Sequence, residues 1–179
     1  MTARLATPTK TNAARLLDSL GIAYEVRAYE VDLEDLTAIS VARKIGLPAE
    51  QVFKTLLTRA AGATGHADHF FAVIPGGAEL DLKKLAQAAG VKKIELASLK
   101  DVEPLTGYVR GGVTVMAAKT AFPAYADETI ELRDSVSISA GMRGVQLVLA
   151  PADYLRATGA IIADLTKAVR GGNGAEAAG

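Results

Sequence analysis

A lysine inside an apolar strand constrains this chain more than any other feature. Val52-Phe-Lys-Thr-Leu-Leu-Thr58 has the β-branched and aromatic content of a central strand rather than an edge. Period two puts Phe53, Thr55 and Leu57 on one face and Lys54, Leu56 and Thr58 on the other. Lys54 therefore shares its face with an aliphatic side chain. Its ammonium must reach a carboxylate, a water-filled cleft or an anionic ligand, because an unpaired buried charge shifts its pKa or destabilises the fold. Two readings stand: the four-carbon stem carries the charge to solvent, or Lys54 is the positive anchor of a binding pocket.

The chain of 179 residues suits one domain and is ample for a core. Lys plus Arg total 20, as do Asp plus Glu, so the formal charge is zero. That balance argues against non-specific coating of nucleic acid and leaves recognition of one small RNA end open. Trp is absent and aromatic residues are few, so a base-stacking platform is not expected. The absence of Cys removes a disulfide frame, a thiolate metal site and a cysteine nucleophile, a usage that fits a reducing cytoplasm. No apolar run is long enough to span a bilayer, and residues 1–11 lack the apolar core of a signal peptide. A soluble protein is expected, with a loose arm over residues 1–11, one domain over 12–169 and a disordered Gly/Ala-rich tail over 170–179.

Taken in order, Asn12 is a candidate cap for a helix carrying Ala13, Leu16, Leu17 and Leu20, with Gly21 as its stop. Ile22, Tyr24 and Val26 alternate as the inner face of a half-buried strand, which leaves Tyr29 on the opposite parity as a rim tyrosine. An acidic loop leads to a short helix over 37–46, and a turn at Leu47-Pro48 feeds the lysine strand. Phe70 to Ile74 is a continuous apolar strand, expected antiparallel to it. His66 and His69 sit in or beside the connector, without partners at metal-ligand spacing, and read as solvated. Asp81 caps a helix closed by Gly90, and Ser98 with Asp101 resembles a capping box. Thr106-Gly-Tyr-Val-Arg-Gly-Gly-Val-Thr114 carries a glycine pair that either lets backbone amides approach a ligand or simply turns the chain. Val136 and Ile138 alternate with serines, and Val145 to Leu149 is a core strand with Gln146 on its less apolar side. Short strands and helices without regular βαβ alternation give an α+β single domain, with a mixed, largely antiparallel sheet curled into a barrel-like form.

Four blocks together resemble the YbaK/EbsC family of aminoacyl-tRNA deacylases, YbaK-type Cys-tRNA(Pro)/Cys-tRNA(Cys) deacylases most of all. They are Gln51-Val-Phe-Lys-Thr-Leu-Leu57, Gly76-Gly77 with Leu80-Asp-Leu-Lys-Lys-Leu85, Thr106-Gly-Tyr108 with Gly111-Gly112, and Ser139-Ala-Gly-Met-Arg-Gly144. The resemblance implies a protein that acts in trans, clearing a wrongly attached amino acid from tRNA without a cofactor. It implies that Lys54 is the residue on which activity depends and that Thr55 and Tyr29 line the pocket. Gly111 and Gly112 would offer amides near the aminoacyl carbonyl, with Ser139 at the pocket's edge. Gln146 stands where YbaK-type relatives carry an acidic residue, and Val115 where relatives often carry a proline; the first bears on amino-acid preference.

For a Cys substrate the resemblance implies that the substrate's own thiol attacks its carbonyl, a route that needs no protein nucleophile. The expected partners are the 3′ acceptor end of an aminoacyl-tRNA and prolyl-tRNA synthetase, with no membrane, for a monomer or weak dimer. The alternatives are a non-catalytic module that binds tRNA or the synthetase, a deacylase for a different small amino acid, and a small-molecule pocket protein unrelated to translation.

Overall fold

The computed structural model describes residues 10–168. Along them run α1 (Asn12–Ser19), β1 (Glu25–Ala28), α2 (Ala38–Ile45), β2 (Phe53–Ala60), β3 (His69–Pro75), α3 (Leu82–Ala89) and β4 (Ile94–Leu96). There follow α4 (Leu99–Thr106), β5 (Ala124–Asp127), β6 (Val136–Ser139), β7 (Val145–Leu149), α5 (Pro151–Thr158) and β8 (Ile161–Ala163). No helix among the described residues is long and apolar enough to cross a membrane.

Helix starts follow capping chemistry. Thr37 accepts from the Ser40 amide and Asp81 from the amides of Lys83 and Lys84, each cap contributing about 1 kcal/mol. The cap of α1 is Thr11 rather than Asn12, accepting from the Ala14 amide, and Lys10 pairs with Asp18. The end of the expected arm is thus built into the fold; the rest of the arm and the expected tail lie outside the described residues. Ser98 stands at the start of α4, but its side chain makes no capping bond, so the box read there does not form.

The strands make two sheets, in the orders β1-β7-β6 and β4-β2-β3-β5-β8. The β3–β5 and β5–β8 pairings are parallel and the others antiparallel, including β2 with β3 as expected. The largely antiparallel, mixed α+β reading therefore holds, and the barrel-like form does not. Closure needs an unbroken hydrogen-bonded ladder, and among the described residues only an isolated bridge between Val52 and Ser137 links the sheets.

The core explains the central place of β2 and β3. Phe53, Val73, Ile138 and Leu147 pack between the sheets with Leu17 of α1 and Tyr154 of α5. The other face of β3 sends Phe70, Ala72 and Ile74 against Leu85 of α3 and Leu165. A strand covered on both faces is apolar along its buried length, as β3 is from Phe70 to Ile74. Edge positions fare differently: Val26 on the outermost strand β1 is 48% exposed, against the inward place that alternation gave it. His69 also departs from its solvated reading. It is buried, with its ring 5.3 Å from that of Phe122, because the loop before β5 folds over the start of β3.

Candidate active site

The register of β2 on β3 fixes where Lys54 points. Lys54 lies opposite Ile74, Leu56 opposite Ala72 and Thr58 opposite Phe70, so the lysine sits on the α3 side of the larger sheet. Thr55, opposite Val73, belongs to the face that looks toward the smaller sheet. The two neighbours thus leave the strand on opposite faces, yet both line one cavity of about 480 Å³ at the beginning of β2.

That cavity is closed by long-range contacts. The Val52–Ser137 bridge brings the start of β2 to β6, which supplies Ser139, and β7 supplies Gln146. Thr37 and Val41 of α2 form one wall, Leu99 and Val102 of α4 another, and Arg110 and Gly111 reach in from the loop after α4. Its charged lining residues are Lys54, Arg110 and Glu34.

Lys54 is half-buried and makes no ion pair or hydrogen bond among the described residues. Burial pushes its pKa below the ordinary lysine value, and the Glu79 carboxylate partly opposes that shift. Glu79 itself is paired with Lys167 at 2.7 Å, which leaves it a weak counter-charge for Lys54. A desolvated ammonium without a partner is poised for an incoming anion or ester oxygen.

The uncharged polar lining is part satisfied and part open. Gln146 is 5% exposed and accepts from the Ser137 hydroxyl at 3.0 Å. The Ser139 hydroxyl accepts from the Gly141 amide at 3.2 Å. The Thr55 hydroxyl oxygen is buried without any partner, a state that costs on the order of 1–3 kcal/mol.

The glycine pair divides its work. The Gly112 amide donates to the Val109 carbonyl at 2.9 Å, and a Cβ there would lie 3.1 Å from the Met142 Cα. Gly112 is therefore a close-packing position, outside the cavity lining. Gly111 has φ +87°, and its amide makes no hydrogen bond among the described residues, so this N–H stays available. The Arg143 Nε donates to the Arg110 carbonyl at 2.7 Å and holds that loop to the β6–β7 turn. Such an amide, fixed before a ligand arrives, is a ready donor to a developing oxyanion.

Of the residues singled out from the sequence, Lys54, Thr55, Gly111, Ser139 and Gln146 come together in the lining. Tyr29 does not: it packs beside Val41, Ala42 and Ile45, the rim position that its parity gave. Glu34, Arg110 and Leu99 were not singled out. Arg110 lies inside the glycine-loop motif, which was its one sequence signal.

Residues 35–157 match the model of the aminoacyl-tRNA editing domain. The chain belongs to that family, and Lys54, Gly111 and every other lining residue of the cavity except Glu34 lie within the matched span. It is 41% identical, over 92% of its own length and 98% of the relative's, to EbsC of Enterococcus faecalis, a protein provisionally named as a Cys-tRNA(Pro)/Cys-tRNA(Cys) deacylase. It is 30% identical to the multifunctional Ser/Thr-tRNA deacylase ProXp-y of Escherichia coli K12, over 79% of the chain and 83% of that protein. Among solved structures, one provisionally described as a trans-editing enzyme for prolyl-tRNA synthetase superposes with a TM-score of 0.76 at 25% identity, covering 91% of this chain and 99% of that one.

Proposed function

We propose that this protein acts in trans, in the cytoplasm, to remove a mis-attached amino acid, Cys before others, from tRNA(Pro). The observation that carries this reading is the half-buried, partnerless Lys54 ammonium on the wall of a cavity that also presents the unused Gly111 amide. Lys54 holds the terminal adenosine or its phosphate and places the ester, as a charge-assisted contact does. The Gly111 amide meets the carbonyl oxygen as negative charge grows on it. Thr55, Ser139 and Gln146 line the space around the amino acid, while Gly112 serves by holding the loop.

The reaction is substrate-assisted. The cysteinyl sulfur, as thiolate, attacks the ester carbonyl carbon; the carbon–oxygen bond to the ribose breaks, its oxygen takes a proton, and a cyclic thiolactone leaves. The protein contributes confinement and orientation, which can be worth several kcal/mol of barrier, on the order of 7–11 in the best cases. Prolyl-tRNA synthetase is the proposed source of the mischarged substrate.

The test is deacylation of Cys-tRNA(Pro) beside the same tRNA carrying S-methylcysteine. Turnover of the first and none of the second is expected. Equal turnover of both would replace thiol attack by attack of water. A second reading, editing of a small hydroxyl amino acid, is favoured by the Thr55 hydroxyl that lacks a partner. Ser-tRNA and Thr-tRNA in the same panel decide between them.

A further inference from the structure

A second cleft, of about 700 Å³, lies on the α3 side of β2. Lys54, Leu56 and Leu96 belong to the linings of both cavities, so the two meet across a shared wall. The far side is formed by the turn at Gly77 and Ala78, the first turn of α3 with Leu82 and Lys83, and Lys167.

The charges in this cleft do not cancel locally. Its lining carries the cations Lys54, Lys83 and Lys167 against the anions Glu79 and Asp81; Glu79 is paired with Lys167 at 2.7 Å, and Asp81, still anionic, accepts from the amides of Lys83 and Lys84 at 3.0 and 3.2 Å. The ammonium groups of Lys54 and Lys83 remain, neither with an ion pair among the described residues. The same lining holds Leu56, Leu82 and Leu96, the last 56% exposed. Cations without an ion pair among the described residues, in one lining with aliphatic side chains, suit a single nucleic-acid strand, with phosphates on the amines and a base face on the aliphatic surface.

We propose that this cleft takes the nucleotide and phosphodiester that precede the terminal adenosine of the tRNA, with Lys54 at the junction between the two cavities. The inference rests on reading the first cavity as the site of the acylated adenosine. The competing exit for the strand is the rim at Arg110 and Arg143. One donor there, the Arg143 Nε, is already committed to the Arg110 carbonyl, and the Arg110→Ala arm of the experiment decides between the two routes.

The experiment measures binding of adenosine and of the unacylated trinucleotide CpCpA to the full chain by NMR titration, at several salt concentrations. In the wild type, CpCpA binds more tightly than adenosine. Lys83→Glu, at an exposed helix-start position where a carboxylate suits the helix dipole, lowers that advantage by about fivefold. It also reduces the slope of log affinity against log salt by about 0.7, the loss of one single-strand phosphate contact. Arg110→Ala leaves the advantage in place. If the advantage survives Lys83→Glu, or disappears in Arg110→Ala instead, the cleft is not the path, although the adenosine pocket stands. If wild-type protein binds CpCpA no more tightly than adenosine, the cleft is likewise rejected. If neither ligand binds, the reading of the first cavity fails, and the cleft assignment with it.

Discussion

Replacing Lys54 with Met removes the ammonium and keeps most of the stem, so it isolates the charge. Among the described residues the wild-type amine makes no ion pair or hydrogen bond, and burial, partly opposed by the Glu79 charge, holds its pKa below the ordinary value. Removing it therefore breaks no folded-state contact and relieves a desolvation cost. Stability at neutral pH should be unchanged or higher. Between the lowered folded-state pKa and the unfolded value, the unfolded chain binds more protons, so this lysine makes stability rise with pH in that window. Below the window the amine is charged in both states and its cost is constant. Lys54→Met removes that slope, which the difference between wild-type and variant urea midpoints across alkaline pH will register. Activity moves the other way. A charge-assisted hydrogen bond to substrate is worth about 1.5–3 kcal/mol, and at about 1.4 kcal/mol per decade its loss lowers kcat/KM by roughly ten- to 150-fold. Single-turnover deacylation of Cys-tRNA(Pro) measures this directly. A variant within about threefold of wild type, equally stable and correctly folded, would refute the assignment of Lys54 and the energetic argument behind it.

Three further outcomes follow from the same geometry. Glu79→Gln removes the one influence that raises the Lys54 pKa, so the alkaline limb of kcat/KM shifts to lower pH; a pH–rate profile identical to wild type would contradict the coupling. Thr55→Val deletes a buried hydroxyl that has no partner, and should raise urea-derived stability by about 1 kcal/mol with an unchanged m value while lowering kcat/KM. Gly112→Ala sets a methyl 3.1 Å from the Met142 Cα and 3.2 Å from its carbonyl carbon, so thermal denaturation should show a loss of about 1–3 kcal/mol.

Local chemistry made much of this fold readable. The lysine strand is central because its residues suit two-sided packing, and α2 and α3 begin and end where Thr37, Gly46, Asp81 and Gly90 place their caps. What could not be read was set by tertiary contact. His69 has the local signature of a loop residue, yet it is buried, with the Phe122 ring arriving from far along the chain to lie against it. Val26 alternates as an inner residue should, but β1 is outermost in its sheet and leaves that side uncovered. The cavity itself depends on a bridge between Val52 and Ser137, a pairing with no short-range signal. That bridge, more than any property of Ser139 or Gln146, puts those two side chains in the lining that the lysine shares.

The glycine loop shows why a motif and a role are different kinds of statement. Gly111 and Gly112 are adjacent and chemically identical, and sequence reading placed both against the substrate. Accounting for each backbone N–H separates them. One is bound to the Val109 carbonyl and packed on Met142, so substitution there acts through stability. The other turns through a positive φ beside Arg143 and keeps its donor unpaired among the described residues, so under the proposed function substitution there is expected to act on the reaction. A donor left open by one glycine, in a loop held rigid by the other and clamped by the Arg143 guanidinium, needs no rearrangement as a carbonyl oxygen becomes an oxyanion. Under the proposed mechanism, preorganisation of that kind, together with a cation that has no ion pair among the described residues, would let a cavity promote ester cleavage while contributing no nucleophile of its own.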